Sequence, residues 1–209
     1  MEKKETQKAA VLLLLVMMFL SCFALELAGA AGVIASPEKL ALGKHKSLPG
    51  FALPMPQDEA GKSYLGLTGS ENFKLGQIPA QVLIIEVFSF YCPHCQHAAP
   101  QVNELYREIQ GRPDLKAKLK MIGIGVGNSP YEVNAFREKY KVPFPLFSDQ
   151  RMEVAGMLGV KGTPTFIGVN LPGKGAPEQF YFGEGGFQDA RQFLSEIIRL
   201  SCLAEEEAK

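Results

Sequence analysis

Residues 82–88 read Val-Leu-Ile-Ile-Glu-Val-Phe, and three residues later the chain continues as Cys92-Pro93-His94-Cys95. A nearly unbroken apolar, β-branched run of this length is the pattern of a strand buried on both faces, the inner strand of an α/β domain. Where such a strand turns into a helix, a Cys-x-x-Cys sets its first sulfur at the helix N-terminus. Unpaired backbone amides and the helix dipole there favour a thiolate. Cys92 is therefore expected to be the nucleophile. Pro93 follows at a position where a helix loses nothing by lacking an amide hydrogen, and its fixed φ stiffens the turn. Cys95 falls one turn inward, within disulfide reach but shielded, as a resolving thiol. The same pair also fits a structural disulfide or half of a zinc site. Zinc needs four ligands, and the remaining cysteines, Cys22 and Cys202, form no second close pair.

The rest of the chain agrees with one extracytoplasmic α/β domain. Lys3, Lys4 and Lys8 precede an uncharged apolar run at 9–25, so residues 1–35 read as a signal peptide or an N-terminal membrane anchor. A lipidated Cys22 is a third reading of the same segment. Residues 36–47 are a linker rich in Gly, Pro and Lys, residues 48–203 the domain, and 204–209 a charged C-terminal tail. With 22 basic against 22 acidic residues there is no electrostatic basis for binding nucleic acid.

Beyond the cysteines, Val102, Leu105, Tyr106 and Ile109 repeat at helical spacing, and Gly111 and Pro113 stop that helix. Strands are expected at 119–125, 165–169 and 179–182, and helices at 131–140, 151–158 and 187–203, the last with Ala190, Phe193, Leu194, Ile197 and Ile198 inward. Glu86 is a lone carboxylate in a buried run. A desolvated carboxyl titrates high, which suits it to proton transfer. His94, between the cysteines, can offer a hydrogen bond or positive charge to the Cys92 thiolate. His97 and His45 read as solvated, and Cys202 as an apolar filler.

These motifs resemble the thioredoxin-like thiol:disulfide oxidoreductases over about 48–203. The stretch from Ile85 to Cys95, with Tyr91 before the Cys-Pro-His-Cys, is similar to the DsbA-type active site. The body is more similar to the TlpA/ResA type, through Gly50-Phe51-Ala52-Leu53-Pro54, Phe144-Pro145-Leu146-Phe147-Ser148-Asp149 and Gly159-Val160-Lys161-Gly162-Thr163-Pro164-Thr165-Phe166. Only residues 96–163 separate Cys95 from Pro164, too few for the helical insertion of DsbA-type proteins. The resemblance implies a thioredoxin-like fold with a central mixed β-sheet flanked by helices, and a cis Pro164 beside the cysteines. It also implies a substrate-docking edge at Thr163 and Pro164, with Pro93 and Tyr91 adjoining, and Glu86 as the proton shuttle of Cys95.

The expected function is disulfide exchange with protein thiols and disulfides, outside the cytoplasm, with a membrane or soluble redox partner. No cofactor is needed beyond a redox-active Cys92–Cys95 disulfide. His94 argues for an oxidant, whereas Thr163 and the compact body resemble a reductant of the cytochrome c maturation type, which leaves the direction open. A copper-binding chaperone using Cys92, Cys95 and a histidine is the alternative from another class. Peroxide reduction is disfavoured, because Ser89 stands where peroxidatic sites carry threonine.

Overall fold

The computed structural model describes residues 46–201 and 203. The apolar run at 9–25, Cys22, His45, Cys202, linker positions 36–45 and the tail at 204–209 lie outside the described residues. The chain falls into two units, Met1–Lys39 and Leu40–Lys209, and every described element belongs to the second.

The apolar run forms strand β4 (Val82–Phe88), with all seven residues buried. Such burial requires neighbours on both edges and both faces, and β4 has them. It pairs in parallel with β5 (Leu119–Val126) and antiparallel with β7 (Thr165–Asn170). The sheet extends through β6 (Leu146–Asp149), parallel to β5, and β8 (Glu178–Glu184), antiparallel to β7. Strand β1 (Lys46–Ser47) closes the other edge, giving the mixed order β1-β8-β7-β4-β5-β6. Lys46 and Ser47 were expected in the linker, yet they pair with Gln179 and Glu178. Two residues are too few to show alternation, so pairing with β8 is what makes them a strand. A small ribbon of β2 (Ala52–Leu53) and β3 (Phe73–Lys74) stands apart from this sheet.

Helices cover both faces. Helix α2 (Pro93–Gly111) buries Cys95, Ala99, Val102, Leu105 and Ile109 along one stripe. With α3 (Pro130–Tyr140) and α5 (Ala190–Leu200) it encloses one apolar layer, which includes Val82, Ile84, Phe88 and Phe166. The opposite layer joins Leu83, Ile85 and Val87 to residues of β3, α1 (Glu59–Leu65) and α4 (Glu153–Leu158). Each buried aliphatic side chain contributes about 1.5–3 kcal/mol.

Two helix starts fall later than the periodicity predicts, and the helix expected to reach 203 ends at Leu200. The helix expected from 151 starts at Glu153, because Met152 takes a left-handed conformation (φ 59°) and Asp149 accepts from the amides of Val154 and Ala155. The helix expected from 187 starts at Ala190, because the Asp189 carboxylate caps it by accepting from Gln192 N at 2.8 Å.

Candidate active site

Cys92 sits at the N-cap of α2, immediately before Pro93, and is half-buried. Its sulfur accepts a hydrogen bond from Cys95 N at 3.4 Å and donates one to the Thr163 carbonyl at 3.2 Å. Both cysteines are free thiols, and Cys95 is fully buried one turn into the helix. The two thiols are driven apart electrostatically. Partial burial pushes Cys92 up, but the side chains of Thr163 and Cys95 and the amides of Cys95 and His94 outweigh it, leaving the thiol below its ordinary value. Burial instead pushes Cys95 up to about 12, against weaker stabilisation of its thiolate by Ser89 and Thr163.

Glu86 lies on the β4 face that also carries Val82, Ile84 and Phe88, the face turned to α2 and Cys95. Its lateral neighbours are Gly123 on β5 and Phe166 on β7. It is 1% exposed, and its Oε1 has no hydrogen-bond partner in the protein. Desolvation raises its pKa from 4.5 to about 8, so the carboxyl is neutral over most of the neutral range.

The Thr163–Pro164 peptide is cis and leads into β7, whose Thr165 hydroxyl donates to Gly162 O at 2.7 Å. The loop thus brings the Thr163 carbonyl over the cysteine that opens α2. Pro93 and His94 are exposed beside Cys92. Tyr91 is exposed as well, and its hydroxyl donates to the Glu132 carboxylate at the start of α3. That bond raises the Tyr91 pKa and lowers that of Glu132. The structure therefore brings Cys92, Cys95, Thr163 and Pro164 together, puts Glu86 on the same side of the sheet, and leaves His94 and Tyr91 facing solvent. His97 is also exposed. Among the described residues no group of three His, Cys, Asp or Glu side chains could hold a metal ion.

Three features escape the sequence reading. Asn128, on the loop after β5, is fully buried and bonds the turn that precedes Cys92. Tyr131 and Met152 are large apolar side chains left exposed, Tyr131 beside Glu132 and Met152 over Gly127. One asparagine among loop residues, or one apolar residue at a helix start, carries no periodic signal.

Comparison with known proteins follows the same lines. The thiol-disulfide oxidoreductase ResA of Geobacillus thermodenitrificans is 24% identical over 160 residues, 77% of this chain and 81% of that protein. ResA of Halalkalibacterium halodurans is 23% identical over 104 residues, 50% of this chain, and the match spans only 56% of that protein's length. Among solved structures, a putative thiol:disulfide interchange protein DsbE from Chlorobium tepidum shares the fold with a TM-score of 0.56 at 18% identity, covering 76% of this chain and 96% of that one. The family model described as AhpC/TSA matches residues 46–186, a stretch that runs from β1 through β8 and holds both cysteines, Glu86 and the cis proline. With that sheet, order and match, the chain belongs to the AhpC/TSA family and has a thioredoxin-like fold.

Proposed function

We propose that the chain is an extracytoplasmic thiol:disulfide oxidoreductase that exchanges disulfides with protein substrates through Cys92 and Cys95. The observation that carries this reading is the placement of two free thiols one helical turn apart, Cys92 half-buried at the start of α2 against the Thr163 carbonyl and Cys95 fully buried, an arrangement that lowers the first thiol's pKa and raises the second's. In the oxidising direction, a substrate thiolate attacks Cys92 Sγ of the Cys92–Cys95 disulfide. The new bond joins substrate to Cys92, and Cys95 leaves as a thiolate and takes up a proton. A second substrate thiolate then attacks the substrate sulfur of this mixed disulfide; the S–S bond of the substrate disulfide forms, the bond to Cys92 breaks, and Cys92 departs as a thiolate. In the reducing direction, the Cys92 thiolate attacks a substrate disulfide, and the Cys95 thiolate resolves the mixed disulfide at Cys92 Sγ.

Either way Cys95 must gain or lose a proton in a dry layer. Glu86, titrating near 8 on the same side of the sheet, is the group matched to that transfer near neutral pH. The Thr163 carbonyl and the exposed edge before Pro164 dock the substrate backbone as an added strand, with Pro93 and Tyr91 flanking it. His94, exposed next to the nucleophile, biases the couple toward oxidation. No cofactor enters this chemistry. A signal peptide or anchor in residues 1–35 delivers the domain to a compartment that allows disulfides. No described helix is long and apolar enough to cross a membrane. The second reading, a dedicated reductase of exported thiols, is favoured by Thr163 before the cis proline and by the compact body between Cys95 and Pro164.

The test is to trap partners on full-length Cys95→Ala. Covalent complexes that dithiothreitol releases, and that a further Cys92→Ala change abolishes, are the expected result. Absence of any such complex, with equal alkylation of both thiols at pH 6, overturns the proposal. The equilibrium potential against glutathione then decides between oxidant and reductase.

A further inference from the structure

Strand β6 ends the sheet, with β5 on one side and no described strand on the other. The register decides which of its main-chain groups are used. Gly123 N donates to Pro145 O and Gly127 N to Asp149 O, both at 2.9 Å, so Pro145, Phe147 and Asp149 are the residues whose main chain faces β5. In a parallel ladder the alternate residues turn the other way, which leaves the main-chain groups of Leu146 and Ser148 pointing off the sheet edge. Among the described residues only the Arg137 guanidinium meets them, at a long 3.5 Å to Leu146 O. Both residues line a cleft of about 320 Å³, walled by Pro54 and Pro56 before α1 and by Val133 and Arg137 of α3. Prolines carry no amide hydrogen, so that wall shields the edge while offering it few donors.

Arg137 is the one cation among the described residues lining this cleft, and it has bonding capacity to spare. Its Nε is buried with no hydrogen-bond partner, one terminal nitrogen makes the long bond to Leu146, and the other lies 3.6 Å from Asp58 Oδ2, beyond hydrogen-bond length. Asp58 is held off because its Oδ1 caps α1, accepting from Gly61 N at 2.5 Å. We propose that this cleft is a peptide-docking site: an extended segment of a partner protein adds to β6 as a strand, bonding the main chain of Leu146 and Ser148 and setting one acidic side chain on Arg137. Open main-chain groups along a sheet edge select an extended backbone, and the guanidinium fixes where along that backbone the carboxylate must stand. The four residues of β6 leave room for about four residues of added strand. The site uses neither cysteine nor the Thr163 edge, so it stands whether or not the exchange reading holds.

The probe is a labelled, end-blocked hexapeptide of alternating threonine and valine with one central glutamate, added to the full-length chain and followed by fluorescence anisotropy and amide hydrogen exchange. Binding is expected to slow exchange of the Leu146 and Ser148 amides at least about ten-fold and to leave that of Phe147, already bonded to β5, unchanged. Glutamine in place of the probe's glutamate, or Arg137→Ala in the protein, should each weaken binding about ten-fold, and the two together no more than either alone. N-methylation of the probe at successive residues should alternate between loss of binding and an effect within about two-fold, the signature of an added strand. No binding by about 1 mM peptide overturns the proposal, as does protection of the Thr163 amide in place of Leu146 and Ser148. Binding indifferent to the glutamate, or to the position of the methyl group, overturns it as well. If Arg137→Ala does not fold, the glutamine and N-methyl probes on the wild-type chain decide alone.

Discussion

On one face of β4, Leu83, Ile85 and Val87 join a layer with Leu65, Phe73, Ala155 and Leu158, whereas on the other Val82, Ile84 and Phe88 share theirs with the thiol of Cys95 and the carboxyl of Glu86. Both layers exclude water equally well, since every β4 residue is within 1% of full burial. The first layer only stabilises. The second accepts a destabilising acid with an unpartnered oxygen, and it is the one beneath the helix that begins at Cys92. A fold needing only cohesion would carry an apolar residue at 86, so the asymmetry supports the proposed chemistry on the α2 side of the sheet.

The strongest way to break this contrast is at the sulfurs. Cys92→Ala is expected to cut exchange at least ~100-fold without unfolding the domain, and in the reduced wild type Cys92 should alkylate at least about 30-fold faster than Cys95 at pH 7. Mass spectrometry after timed iodoacetamide labelling checks the ratio, and comparable rates would erase the distinction between the two thiols.

Glu86→Gln comes next. The folded carboxyl titrates at about 8 and the unfolded one near 4.5, so the folded state holds its proton more tightly. Stability is therefore lost as pH rises from about 4.5 to 8, and the loss reaches on the order of 5 kcal/mol above that window. Glu86→Gln should be more stable than wild type by that order at pH 9, with the difference vanishing near pH 4, and it should slow mixed-disulfide resolution. Urea unfolding at both pH values reads the first part. A constant difference between them would return Glu86 to a neutral role.

Ile85→Ala tests the opposite face. A loss of about 4 kcal/mol is expected from the void in the layer, with the Cys92 to Cys95 alkylation ratio unchanged in whatever fraction stays folded. The smallest effect should come from Tyr91→Phe, which removes an exposed bond to Glu132. A shift in Tm under about 2 °C and exchange within about two-fold of wild type are expected by calorimetry and turnover.

Much of this was legible from residue order. The run at 82–88 demanded an inner strand, the spacing through Ile109 a helix, and the cysteines between them a helix start. What stayed hidden is short or set by tertiary contact. Strands β1, β2 and β3 have two residues each, below the length at which alternation can be counted. Met152 looks like an ordinary helical residue, and only the buried Asp149 carboxylate shows why the helix begins after it. Glu86 was visible as an oddity, but its side of the sheet needed the register with Gly123 and Phe166. Asn128 was invisible because its partners lie nearly forty residues away.

Glu132 divides its carboxylate between two tasks. One oxygen accepts from the Tyr91 hydroxyl, and the other accepts from Ser129 N at 2.7 Å and Ser129 Oγ at 2.8 Å to begin α3. Any replacement there must answer to the loop and to the helix in the same step. Drift at this position is consequently coupled: a chain that gives up the hold on Tyr91 by replacing Glu132 must also find a new way to start a helix, and two changes arriving together are rarer than one.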